Sequence, residues 1–127
     1  MAYYFAKTLD APFDEAVERA IATLKQHGFG VLTRIDVRST LKEKIGADFR
    51  PYVILGACNP RMAHQALQAE DKIGTMLPCN VIVQEQGGKS EVAAVDPVAS
   101  MQAIENPALA GIAMKVREEL KAAIQSL

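Results

Sequence analysis

The chain has 127 residues, a length that fits one domain and is too short for two ordinary domains joined by a linker. Half of the residues are apolar and 23% are charged, so there is material for a core and disorder is excluded; no apolar run approaches the ~18 residues that a membrane span needs. Basic and acidic side chains number 14 and 15, with 8 and 7 of them in residues 1–50, so neither half is polarised and a nucleic-acid backbone finds no electrostatic footprint.

In chain order, residues 2–8 are rich in aromatics and read as a strand, closed by Asp10-Ala11-Pro12, where proline suits the first turn of a helix. Residues 1–10 have neither the basic start nor the sustained apolar stretch of a secretory signal, which points to the cytoplasm. Phe13, Val17, Ala20, Ile21 and Leu24 recur at helical spacing, with Asp14 and Glu15 at the positive helix end, Lys25 and His27 at the negative end, and Gly28 as the stop. Residues 29–37 form a second β-rich run, and Thr40-Leu41-Lys42-Glu43 has the form of a capping box opening a short helix that Gly46 ends. Pro51 to Cys58 is apolar at consecutive positions, the pattern of a strand buried on both faces, and is expected to be the central strand.

Asn59-Pro60 supplies an N-cap and a proline for a helix to about Glu70, with Ala63, Ala66 and Leu67 as its apolar stripe. Residues 77–85 and 90–96 flank Gly87-Gly88, a pair able to take the positive φ values of a tight hairpin. Asn106-Pro107 repeats the cap-and-proline signal, and Leu109, Ile112, Val116, Leu120 and Ile124 mark a long amphipathic helix. The order β-α-β-α-β-α-β-β-α over a single domain of residues 1–127 predicts an α+β two-layer sandwich. Its sheet is expected to be mostly antiparallel, of about five strands, with the helices packed mainly on one face.

The chemistry on offer centres on two cysteines, which are thiols in a reducing compartment and lack the Cys-x-x-Cys spacing of zinc and thioredoxin-type motifs. Cys58 ends its strand just before an N-cap, where free N–H groups favour a thiolate and should draw its pKa below ~8.5. The competing reading is a small buried hydrophobe at a strand end. Cys79 shares strand parity with Leu77, Val81 and Val83 and is expected to face the apolar side. Asn59 is explained by its N-cap and Asn80 by turn closure, with contact to a ligand as the alternative for each. His64, one turn beyond Pro60, could reach toward Cys58 as a base or ligand, but two thiols and one imidazole fall one ligand short of a closed tetrahedron, so no metal is assigned. Gly28-Phe29-Gly30 follows a helix and lacks a third glycine, so it is no dinucleotide fingerprint, and no spacing pairs Asp36 with Asp96 as acid and base.

The segment Gly28 to Asp36, then Ile54-Leu-Gly-Ala-Cys-Asn-Pro60, His64, Ile73-Gly74, Leu77-Pro-Cys-Asn-Val81 and Val95-Asp-Pro97, resembles the bacterial and archaeal family called domain of unknown function 302. The resemblance covers residues 10–97, and the family pattern has an acidic residue where this chain has Arg34. It implies a compact α+β domain that forms a homodimer and has no established reaction, and it names no cofactor. Two functional readings follow. In one, Cys58, Asn59, Cys79, Asn80 and His64 line a site for a soft metal ion, a sulfur species or a small anion, with antiparallel neighbouring strands bringing the two cysteines together. In the other, the chain is a non-catalytic dimerising domain, with part of the stripe from Leu109 to Ile124 shared between copies. Neither reading involves nucleic acid or a membrane.

Overall fold

The computed structural model describes residues 2–127, so Met1 of the expected 1–127 domain lies outside the described residues. Strand β1 (Tyr4–Leu9) leads into helix α1 (Phe13–Gln26), β2 (Gly30–Asp36), α2 (Val37–Ile45), β3 (Tyr52–Cys58) and α3 (Pro60–Ala69). A 3-10 turn over Asp71–Met76 precedes β4 (Cys79–Gln86) and β5 (Lys89–Val95), and α4 (Pro97–Ser100) and α5 (Pro107–Gln125) complete the chain. The five strands form one sheet in the order β1-β5-β4-β3-β2, with every neighbouring pair antiparallel.

The punctuation residues act as their chemistry dictates. Gly87 and Gly88 take φ of +56° and +81° in the β4–β5 hairpin, values that a side chain would strain. Asn59 and Asn106 cap α3 and α5 through their side-chain oxygens, and proline follows each cap. At α2 the sequence expectation fails: the helix starts at Val37, and Asp36 is the cap, accepting a bond from the Ser39 N–H at 3.0 Å. Thr40 therefore lies inside the helix, because Asp36 offers a cap one turn earlier, directly where β2 ends.

Alternate residues of the inner strands, Val53, Leu55 and Ala57, then Cys79, Val81 and Val83, then Val92 and Ala94, are buried in one cluster. Val17, Ala20 and Leu24 of α1 and Val116, Leu120, Ala123 and Ile124 of α5 close that cluster, so α1 and α5 lie side by side on one face of the sheet. Lys7 ties β1 to the end of α5 by donating to the Gln125 carbonyl at 3.0 Å and to the Leu127 carbonyl. Asp96 caps α4 and also pairs with Arg117 Nε of α5 at 3.2 Å, while the Arg117 guanidinium lies 5.1 Å from the Phe5 ring centre.

Two further expectations change. The central strand is β4, and β3 lies beside it with one face covered: Tyr52 and Ile54, which alternate with the buried series, are half-buried. The stripe from Leu109 to Ile124 is used up inside the chain, since Leu109, Val116, Leu120 and Ile124 are buried against the sheet and α3, and so it is not the shared surface. Among the described residues no helix is long and apolar enough to cross a membrane.

Candidate functional site

Two concave regions hold the residues with chemical potential. The first lies on the helical face at the end of β3 and β4, where α3 turns back over α5. It leaves only about 30 Å3 of free space between Phe29, Met62, Leu77, Met101, Leu109 and Ile112, with Cys58, Asn59, Pro78 and Cys79 at the strand ends. The sheet register explains why both cysteines reach it: Ala57 pairs with Cys79 across β3 and β4, and Cys58 is the next residue. Strand alternation nevertheless separates them, because Cys79 belongs to the buried series of Val81 and Val83, whereas Cys58 follows the series of Tyr52, Ile54 and Gly56.

The electrostatics of this pocket run against an activated thiol. Burial pushes the Cys79 thiol up from its ordinary 9.0 to about 11, reinforced by the neighbouring Cys58. Cys58 is raised as well, by burial, which overturns the expected acidic thiol. The physical reason lies in the cap. Cys58 stands one residue before it, and the Met62 N–H at the helix start is taken by Asn59 Oδ1 at 3.2 Å. Asn59 is thus occupied as a cap, and it is held from behind by Gly28, where a Cβ would come within 3.1 Å of its Nδ2.

His64 is exposed on α3 and does not line the pocket, whereas Met62, Ala63 and Ala66 do. The apolar stripe of α3 is accordingly Met62-Ala63-Ala66, and Leu67 points outward at 44% exposure. Met62 was legible at helical spacing to Ala66; Phe29 and Met101 come from distant segments, and no local signal places them here. Asn80 is elsewhere, on the opposite face of the sheet. Of the five candidate ligand-binding residues, Cys58, Asn59 and Cys79 share one pocket, and His64 and Asn80 do not join them. Among the described residues, no group of three His, Cys, Asp or Glu side chains could hold a metal ion. Nor, among them, is any buried side-chain nitrogen or oxygen left without a partner.

The second region is the other face of the sheet, which α1 and α5 leave open. A concavity of about 430 Å3 is bounded by Tyr3, Tyr4 and Tyr52, floored by Ile82, Ala93 and Val95, and edged by Asn80, Gln84 and Glu91. Arg50 Nε donates to Gln84 Oε1 at 2.8 Å and Gln84 Nε2 donates to Glu91 Oε1 at 2.9 Å, a chain across three strands' worth of surface. The Arg50 guanidinium also stacks 4.4 Å from the Phe49 ring centre and 5.6 Å from that of Tyr52.

The comparisons agree with this architecture. A crystal structure of an uncharacterized conserved protein DUF302 from Bacillus stearothermophilus superposes with a TM-score of 0.91 at 32% identity, covering 98% of each chain. The sequence has no significant match among curated proteins. Residues 5–127 match the family described as domain of unknown function DUF302, nearly the whole chain, and the protein therefore belongs to that family.

Proposed function

We propose that this is a non-catalytic, dimerising interaction domain. The observation that carries the reading is the open sheet face, where tyrosines, isoleucines and alanines stay exposed or half-buried while α1 and α5 bury the other side of the inner strands. A contiguous apolar patch of this kind on a small domain marks a contact surface. The thiols point the same way: a nucleophilic cysteine needs a depressed pKa and access, and here both are raised and Cys79 is buried. The near-neutral charge balance offers no attraction to nucleic acid or to a membrane surface.

Light scattering on the purified protein at ten to a hundred micromolar tests this directly. The expected mass is twice the 13.7 kDa of one chain, and a single-chain mass that does not change with concentration counts against the proposal.

One observation favours a second reading, a thiol-lined site for a soft metal, a sulfur species or a small anion. Cys58, Cys79, Met62 and Met101 bring four sulfur-containing side chains to one apolar pocket. Native mass spectrometry of protein taken from cells separates the readings. A retained metal or sulfur adduct that disappears in Cys79→Ala would favour the pocket, and a clean two-chain mass favours the interaction domain.

A further inference from the structure

We infer that the occupant of the open face is a second copy of this chain, set face to face about a two-fold axis that runs along β4, so that the isoleucine half of each face covers the alanine half of the other. This inference rests on the dimerising reading and specifies its surface. The register supplies the argument. Ala6 pairs with Ala93, Ala93 with Ile82, Ile82 with Ile54, and Ile54 with Ile35, one unbroken apolar row across all five strands. The row is graded: small side chains on β1 and β5, isoleucines on β4, β3 and β2.

A two-fold rotation about the β4 direction keeps each residue's position along the strands and exchanges β5 with β3 and β1 with β2. Ala93 then meets Ile54, Ala6 meets Ile35, and Ile82 meets itself on the axis. Large side chains fill hollows over small ones, which interdigitation of two sheets ~10 Å apart requires, and the strand directions of the two sheets stay aligned. A two-fold axis across the strands would instead set isoleucine on isoleucine and leave an empty layer between the alanines.

Charge gives an independent check. The neighbouring row on the same face is Thr8, Glu91, Gln84 and Tyr52. The same rotation brings Glu91 of one copy over Tyr52 of the other, where Arg50 is stacked. Glu91 of each copy thus meets Arg50 of the other as its opposite, while Lys89, also on this face, lies apart at the hairpin end beside Gln86. Five strands ~4.8 Å apart and about six residues long span roughly 24 by 20 Å, about 500 Å2 in plan. Side-chain relief and the rim of Tyr3 and Tyr4 bring this toward the ~800 Å2 per partner of a standard interface.

The test uses light scattering and sedimentation on the full chain, with circular dichroism to confirm folding. Ala93→Arg is expected to give a folded single chain, while Met114→Arg, on the exposed side of α5, keeps the two-chain mass. Ala93→Ile is expected to weaken the dimer tenfold or more by overfilling the hollow, and Ala93→Ile with Ile54→Ala to restore it, because the pair exchanges sizes across the interface. Should Ala93→Arg fail to fold, the two size-exchange variants decide the matter. A wild-type dimer that neither Ala93 variant weakens places the contact on another face and overturns this inference, leaving the dimerising reading intact. Loss of the dimer in Ala93→Ile without recovery in the double variant overturns the two-fold arrangement, and a wild-type single chain at 100 micromolar overturns both.

Discussion

Gly56 is the position where a single methyl group should do the most damage for its size. It lies mid-strand in β3, and a Cβ built there would overlap Thr33 Oγ1 of β2 and come within 2.7 Å of Pro78 Cγ. Thr33 can yield only by turning a β-branched χ1 out of its well, at ~0.5–1.5 kcal/mol. The Pro78 ring has no rotamer to change and must move with its backbone, and overfilling of this kind typically costs ~1–3 kcal/mol. Together Gly56→Ala should lose about 2–3 kcal/mol. For a domain of this size each kcal/mol is worth roughly 3–5 °C, so Tm should fall by roughly 6–15 °C in a thermal melt compared at one protein concentration. Thr33→Ala in the same chain should return about 1 kcal/mol of the loss and no more, since the proline contact persists. A Gly56→Ala protein within ~0.5 kcal/mol of wild type would show that β2 and the Pro78 loop yield freely at this site, and the reasoning would fail.

Three other outcomes are expected. Iodoacetamide at pH 8 should alkylate the half-buried Cys58 more slowly than a free peptide thiol and leave Cys79 unmodified until the chain unfolds; mass mapping that finds Cys58 faster than a free thiol would reinstate an activated nucleophile. Stability should decline between pH 9 and pH 11. The Cys79 thiol ionises near 9.0 in the unfolded chain but only near 11 in the fold, so its contribution is complete below pH 9 and is lost as pH rises through 11. The loss should amount to about 2–3 kcal/mol and appear as the difference between wild type and Cys79→Ala in urea melts. Arg117→Ala should lower Tm by removing the Asp96 ion pair and the stacking on Phe5, with Arg117→Lys recovering only part, because lysine keeps the charge but not the planar contact.

The parts of the fold that were legible in the sequence are those fixed by backbone chemistry. Gly87-Gly88, Asn59-Pro60 and Asn106-Pro107 each answer a local requirement, a positive φ or an orphan N–H at a helix start, and each stands where it was expected. Where two local solutions compete, the pattern alone is insufficient. Asp36 and Thr40 are both good caps, and the choice went to the one at which β2 ends. The continuous apolar run of β3 was ambiguous for a different reason. A strand between two layers of helices and a strand with one helical face and one contact face both need apolar residues at every position. Only the sheet order and the burial, with β3 beside the centre and Tyr52 and Ile54 half-buried opposite a fully buried series, distinguish them.

The candidate site failed to be legible for a reason that the two Cys-Asn dipeptides make plain. As sequence they are the same signal, each at a strand end, and antiparallel pairing of β3 and β4 does bring them to one end of the sheet. A dipeptide carries no information about which of its residues faces the core, because facing is set by register, and a shift of one residue exchanges the faces. Here the register pairs Ala57 with Cys79, so the second dipeptide turns its thiol inward and its amide to the open face. The first dipeptide stands one residue further along its strand, with Cys58 in the opposite series and Asn59 already beyond the strand as the cap of α3. The cap then satisfies the helix N–H that would have acidified Cys58, leaving burial as the only influence on that thiol. Two matching motifs therefore place their residues differently: Cys58, Asn59 and Cys79 border one pocket in three roles, and Asn80 lies on the other face. The one feature that continues across every strand is the apolar row from Ala6 to Ile35, which no local pattern announces, because its five members come from five separate strands.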